Sequence, residues 1–330
     1  MRATYAVDML TGVRPTGNLH VGNYVGAIKP FVELQQTGVR SFVFVADLHA
    51  LTDHEPKEIK EFTREVVADY IALGLDPEKN VIYTQSAIGY QTTFLMALLA
   101  RETTTAELLR VPTIKDKLKG ARPETANALL LLYPVMMASD ILLHRARRVP
   151  VGDDQTAHLE VMRELARGFN DKYGSVFPIP EAQKIRTFRI LSLKGAGKMS
   201  KSIPEGSIFL TDDPKKVEKK IRTAETATEG TMTPSLESHM ILAKELSPDK
   251  KTVIEINDII NAHLAGKQVM GDFKKLLADL ISNFLISFQE RRAGIIKKPG
   301  YIEDILSEGA KVARESAEET LSLVRKAMGI

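Results

Sequence analysis

The sequence predicts an α/β protein: a doubly wound parallel sheet with a helical insertion, followed by an all-α C-terminal region. Three observations point there. Strand-like and helix-like segments alternate through the N-terminal part of the chain. The strand-like ones include continuous apolar runs of the kind that parallel sheets bury on both faces. Beyond Asp213 the pattern is helical almost without a break.

Taken in order, Tyr5–Thr11 reads as the first strand, and the loop Gly12–Gly17 leads into a helix near Asn23–Gln36. Ser41–Val45 is a short run rich in Val and Phe, hence a buried strand. Lys57–Leu73 has apolar residues at helical spacing, and Val81–Thr84 is another strand after the Asp76-Pro77 turn. A β-α-β-α order implies right-handed crossovers. Ligands of such sheets sit at the C-terminal strand ends, where the Gly12–Gly17 loop falls. From Thr92 to Arg167 the pattern is mainly helical, an insertion between two halves of the sheet, and Arg189–Leu193 returns to strand character. Then come a lysine-rich helix at 215–222 and helices over Lys251–Leu264, Phe273–Ala293 and Tyr301–Met328. No internal repeat is present. The boundary falls near Gly206, giving a catalytic-type domain over 1–205, with its insertion at about 92–167, and a helical domain over 206–330 whose last helices pack back on the first.

Composition excludes several function classes. There is no cysteine, so disulfides, thiolate metal sites, iron–sulfur clusters and cysteine nucleophiles are ruled out. A net charge of +3 is too small to establish a nucleic-acid partner, although one basic face could still meet a phosphate backbone. The longest apolar run, Ala128 to Ala138, is too short to span a bilayer, and the N-terminus lacks the apolar core of a secretory signal. A cytoplasmic protein without a membrane partner is expected.

Three segments carry chemistry. Tyr133, Met137 and Asp140 are spaced i, i+4, i+7 and share one helix face, offering a hydroxyl, a thioether and a carboxylate. An apolar ring with one N–H would fit that face; a buried helix with a paired Asp140 would show the same spacing. The loop from Gly12 through Arg14, Pro15 and Thr16 to Gly22 and Asn23 couples a glycine-bearing turn to a helix start, which favours phosphate, and His20 can donate to an oxyanion. It is neither a G-x-x-x-x-G-K-[ST] loop nor a G-x-G-x-x-G turn. Lys198-Met199-Ser200-Lys201-Ser202 follows Gly195-Ala196-Gly197, and two lysines flanked by hydroxyls suit the charge of a transferring phosphoryl group.

Together these segments resemble the class I aminoacyl-tRNA synthetases. His20-Val21-Gly22-Asn23 is similar to their first motif, with Asn23 in place of its last histidine, and Lys198–Ser202 matches their second. Asn23, the element Gly152-Asp153-Asp154-Gln155, the continuation His158-Leu159-Glu160, and Phe169-Asn170 with Tyr173-Gly174 narrow the resemblance to the bacterial tryptophanyl-tRNA synthetases. Tyrosine enzymes carry glutamine where Met137 stands. Arg14, where many members have glutamine, and Asp153, in place of glutamate, depart from the commonest pattern.

The resemblance implies a Rossmann-like catalytic domain that activates L-tryptophan with ATP and transfers it to tRNA(Trp), no protein nucleophile being needed. It implies that Asp140 accepts from the indole N–H, Met137 packs on the ring, Tyr133 and Gln155 hold the α-amino group, and His49 lines the pocket. ATP would be held by Arg14–Thr16, Gly22, Asn23, Gly152–Asp154, backbone near Ile190, and Met199, Ser200 and Ser202. Lys198, Lys201, Lys117 and His20 would serve the departing phosphates, with Mg²⁺ carried mainly on ATP and no metal held by protein ligands. A homodimer bridged by tRNA is expected, with Lys215–Arg222 a phosphate contact. His158 is read as stabilising its own helix, and Arg145, Arg147 and Arg148 as a solvated face in preference to a tRNA contact. The absence of tryptophan from the chain is either chance or a safeguard for translation during tryptophan shortage. A tyrosyl-tRNA synthetase and a non-catalytic synthetase-like RNA-binding protein are the alternatives; the latter should have lost some of Lys198, Lys201, Asp154 or Asp140, and all four are present.

Overall fold

The computed structural model describes residues 3–118, 127–151, 156–184, 186, 188–195 and 197–330, without the side chains of Lys117, Val151, Thr156 and Ala157. Five parallel strands form one sheet in the order β3-β2-β1-β4-β5. They are β1 (Val7–Val13), β2 (Ser41–Val45), β3 (Val81–Thr84), β4 (Ala146–Val151) and β5 (Glu181–Lys184). Every residue of β2 is buried, as a central strand covered on both faces must be. The strand order reverses between β1 and β4, so a crevice opens at their C-terminal ends.

Behind β1 a helical run passes from α1 (Val21–Asn23) through one π-helical stretch (Tyr24–Ile28) into α2 (Lys29–Leu34). Next to β2 lie α3 (Asp47–Ala50) and α4 (Pro56–Ala72), the latter opened by a Glu55 capping box and Pro56 in its first turn. Between β3 and β4 run α5 (Gly89–Ala100), α6 (Thr105–Leu108), α7 (Pro112–Lys117) and α8 (Ala128–Leu143); α9 (Thr156–Tyr173) precedes β5. The C-terminal region holds α10 (Pro214–Arg222), α11 (Pro234–Glu245), α12 (Lys250–Leu264), α13 (Met270–Ile296) and α14 (Tyr301–Met328).

One apolar core draws on β1, β2, β3 and β4 and includes Ala313, Ala317, Leu321 and Val324 of α14. A second joins Val21, Val25, Ile190 and Met199 to Val217, Leu242, Ile256 and Phe288 of the C-terminal helices. The hydrophobic contact is therefore continuous across Gly206. Edge strand β3 is covered by α14 at very close range: a Cβ on Gly309 would fall 1.8 Å from the carbonyl oxygen of Ile82. Covering that edge removes a free row of backbone donors and acceptors.

Four expectations need correction. Arg189–Leu193 is not a strand; it makes one isolated antiparallel bridge, Leu191 to Lys198, because Ile190 and Leu193 are buried in the second core rather than beside the sheet. The fifth strand is Glu181–Lys184, a polar edge with no apolar signature. The stretch 92–167 is not purely inserted helix, since β4 falls within it. Arg145 does not belong to a solvated face: it is buried, has φ +45°, and donates to Glu319 of α14 at 2.5 Å.

Candidate active site

The loop after β1 ends in His20, the N-cap of α1. The His20 Nδ1 accepts the backbone N–H of Asn23 at 3.1 Å, and the Asn23 side-chain oxygen accepts the His20 N–H at 3.1 Å. Because Nδ1 must present a lone pair, the ring proton sits on Nε2, leaving a donor for a ligand. The residue is 3% exposed. Burial, reinforced by the positive charges of Lys201 and Lys198, pushes its pKa down to about 4, so the imidazole is neutral at pH 7. Gly22 lets the chain pass closely here: a Cβ would lie 3.0 Å from His20 Nδ1 and 3.3 Å from Met199 Sδ, so both side chains would have to yield slightly. Asn23 thus shapes His20 through the capping box.

The Lys198–Ser202 segment is held against this helix start. Ser192 donates its N–H to Gly197 at 2.7 Å and Met199 to Ile190 at 2.9 Å, which ties the turn together. Met199 and Ile190 are core residues. The Ser200 and Ser202 hydroxyls pair at 2.9 Å, and the Ser200 N–H donates to Ser207 Oγ at 3.1 Å. Lys201 Nζ donates to the Thr16 carbonyl at 2.6 Å, to Thr16 Oγ1 at 2.9 Å, and to the Gly17 carbonyl. Burial, and then the Arg14 charge, lower the Lys201 pKa. Lys198 is exposed. Arg14 forms an ion pair with Asp53, and Pro15 beside it is buried.

Next to these groups a cavity of about 420 Å³ opens between the ends of β1, β2 and β4 and the helix α8. Its walls include Phe44, His49, Met137, Ile141 and Val149, together with Arg14. Tyr133 also lines it, but its hydroxyl bonds Thr113 Oγ1, which in turn meets His158 Nε2 at 3.0 Å. Burial raises the Tyr133 pKa. Asp140 sits one layer deeper, 3% exposed and not among the described lining residues. Its carboxylate accepts Gln85 Nε2 at 2.8 and 2.9 Å and pairs with His49 Nε2 at 2.9 Å. Burial raises its pKa, against the His49 and Gln85 hydrogen bonds, which lower it. Gly152, Asp153, Asp154 and Gln155 lie outside the described residues, as does the side chain of Lys117.

The geometry is a strand–helix junction flanked by positive charge, near a cavity with a largely apolar wall. A family profile described as "tRNA synthetases class I (W and Y)" matches residues 2–286. The tryptophan–tRNA ligase of Treponema pallidum is 36% identical over 329 residues, covering 98% of this chain and 96% of that one. That of Thermotoga maritima is 37% identical over 328 residues, covering 98% and 99%. The crystal structure of the Campylobacter jejuni tryptophanyl-tRNA synthetase complexed with ADP and tryptophan superposes with a TM-score of 0.83 at 31% identity, covering 98% of this chain and all of that one. The chain belongs to the class I tRNA synthetases of the tryptophan and tyrosine group.

In this family member Arg14, Tyr133, Met137 and His49 line one cavity, and the Arg14 charge acts on Lys201, whose charge in turn acts on His20. Sequence reasoning missed Thr113 and Gln85 altogether. It also gave His158 a purely local role, whereas its ring lies 5.6 Å from that of Tyr133 in the cavity wall. No spacing rule could have found them, because each meets its partner across the fold.

Proposed function

We infer that this protein is a tryptophan–tRNA ligase. The observation that carries the reading is a neutral His20 beside the lysine loop, linked through Lys201 and Arg14 to an apolar cavity walled by Met137 and His49. The tryptophan carboxylate attacks the α-phosphorus of ATP; the bond to pyrophosphate breaks and tryptophanyl-adenylate forms. A ribose hydroxyl at the tRNA terminus then attacks the adenylate carbonyl and AMP leaves.

No side chain forms a covalent intermediate, so catalysis rests on positioning and charge. His20 Nε2–H donates to a phosphate oxygen. Lys201 exchanges its neutral acceptors on Thr16 and Gly17 for phosphate oxygens, since charge-assisted bonds are the stronger. Lys198 and Lys117 add positive charge to the leaving pyrophosphate. The phosphate end of the site offers cations and N–H donors, a set suited to phosphate oxygens, so Mg²⁺ arrives on the ATP. Arg14, Pro15, Thr16, Gly22, Asn23, Ile190, Met199, Ser200 and Ser202 are assigned to the nucleotide, with Gly152, Asp153 and Asp154 assigned to it from the sequence motif.

Met137 packs on the indole, and Tyr133 holds the α-amino group, a role the sequence motif assigns to Gln155 as well. Asp140 takes the indole N–H; its carboxylate is engaged by Gln85, His49 and Thr92, so the indole N–H replaces one of these donors. The helices from 206 onward read tRNA(Trp), and exposed Lys215, Lys216, Lys219 and Arg222 on α10 meet its phosphates. The working unit is a homodimer in the cytoplasm. Among the described residues, no helix is long and apolar enough to cross a membrane. Pyrophosphate exchange with each of the twenty amino acids tests the reading: exchange driven by tryptophan alone is expected, and exchange driven by tyrosine refutes it.

A further inference from the structure

Gln85 opens the 3₁₀ turn (Gln85–Ile88) at the C-terminal end of β3 and is 1% exposed. Both ends of its amide are engaged across the fold. Nε2 donates to Asp140 Oδ1 at 2.8 Å and Oδ2 at 2.9 Å, while Oε1 accepts the backbone N–H of His49 at 3.3 Å. Partners of opposite kind settle which end of the amide is which. The His49 ring returns to Asp140 through Nε2 at 2.9 Å, closing a loop of three residues. His49 lines the cavity; Gln85 and Asp140 stand behind it. The turn is anchored from two further sides. The Ser86 N–H donates to Asp47 Oδ1 at 2.9 Å, and Arg314 of α14 donates to the Ala87 carbonyl at 2.9 Å.

We propose that Gln85 is a positioning residue for the amino-acid site, pinning the plane of the Asp140 carboxylate and the backbone of His49 so that the pocket is ready for the indole. The proposal rests on the reading of this cavity as the tryptophan pocket. A terminal carboxylate torsion is broad and roughly two-fold, so a single donor leaves it free to swing. Contact of Gln85 Nε2 with both oxygens removes that freedom, and Gln85 Oε1 keeps α3 in register with the turn.

Substitution separates this role from simple support of the core. Gln85→Met keeps the volume and loses both polar ends. In pyrophosphate exchange it should raise the KM for tryptophan about tenfold or more, the loss of hydrogen bonding to a charged group, with the KM for ATP within about twofold of native. Gln85→Glu keeps the shape but sets one carboxylate against another, so one of the two takes a proton as pH falls. The shared proton restores a donor toward Asp140 and an acceptor toward His49. The ratio of its tryptophan KM to the native value should therefore fall toward unity between about pH 8 and about pH 5.5. Other titratable groups around the pair are His49 and Asp47 on α3, Tyr83 on β3 with His144 after α8 bonded to it, and Tyr133 on α8 against the His49 ring; all are present in native protein and variant, so the ratio cancels them. Tyr83 stays protonated throughout, its pKa well above the usual phenol value through burial and then the Asp140 charge.

A tryptophan KM within about twofold of native in Gln85→Met, an equal rise in both KM values, or a Gln85→Glu ratio flat with pH overturns the proposal. Failure of the native protein to use tryptophan overturns the functional reading instead, and is seen before any variant is made.

Discussion

Replacing Asp140 by alanine removes the acceptor of hydrogen bonds from Gln85 at 2.8 and 2.9 Å and from His49 at 2.9 Å, together with the position assigned to the indole N–H. A bond to a charged group is worth about 1.5–3 kcal/mol, which is roughly 10- to 150-fold in kcat/KM for tryptophan. Stability should fall as well, because the buried Gln85 amide is left without its acceptor at a cost of about 1–3 kcal/mol. Comparing two substrates on one variant cancels that second effect. The assay is pyrophosphate exchange with tryptophan and with its analogue carrying sulfur in place of the indole N–H. On the native protein the analogue should suffer the same 10- to 150-fold penalty, within about twofold. On Asp140→Ala the two substrates should be used almost equally, because the acceptor that told them apart is gone. Additive penalties, with the variant still preferring tryptophan by the native factor, would show that Asp140 does not read the indole nitrogen.

Lys198→Ala or Lys201→Met should slow adenylate formation about a hundredfold or more while tryptophan binding, followed by equilibrium titration, changes little. Gly309→Ala would place a Cβ 1.8 Å from the Ile82 carbonyl oxygen, so α14 must shift off β3. Urea unfolding should report a loss of about 3 kcal/mol or more, and a native midpoint would refute the close approach. His20 is held neutral down to about pH 4, whereas an unfolded histidine binds its proton near pH 6.5. The unfolded state therefore binds more protons between these values, and the stability this contributes, up to about 3 kcal/mol, is lost as pH falls from about 6.5 to about 4. His20→Asn, which keeps a capping acceptor, should flatten that part of the acid-unfolding profile.

Where a segment's structure follows from its own residues, it could be read from the chain. Ser41–Val45 is apolar because β2 is covered on both faces, and Tyr301–Met328 is a helix with a continuous buried stripe. β5 could not be read, because Glu181–Lys184 is an exposed polar edge whose strand geometry comes only from hydrogen bonding to β4. Arg189–Leu193 misled for the opposite reason, its apolar residues serving a helical core.

The site divides along the same line. His20 and Asn23 were visible because a capping box is a contact between residues three apart, and the Lys198–Ser202 string because its charge is carried by neighbours in sequence. Helical spacing put Tyr133, Met137 and Asp140 on one face, yet it could not say that the face enters the fold obliquely, leaving Met137 in the cavity wall and Asp140 behind His49. Sequence alone thus determined the class of sheet, the capped helix start at His20 and the lysine-bearing turn, and the shared helix face of Tyr133, Met137 and Asp140. The tertiary structure alone decided the depth of Asp140, the grip of Gln85 on it, and the tethering of Lys201 to Thr16 across 185 positions. Short-range periodicity records only what a residue's near neighbours demand, whereas a buried carboxylate or an anchored lysine takes its partners from wherever packing brings them.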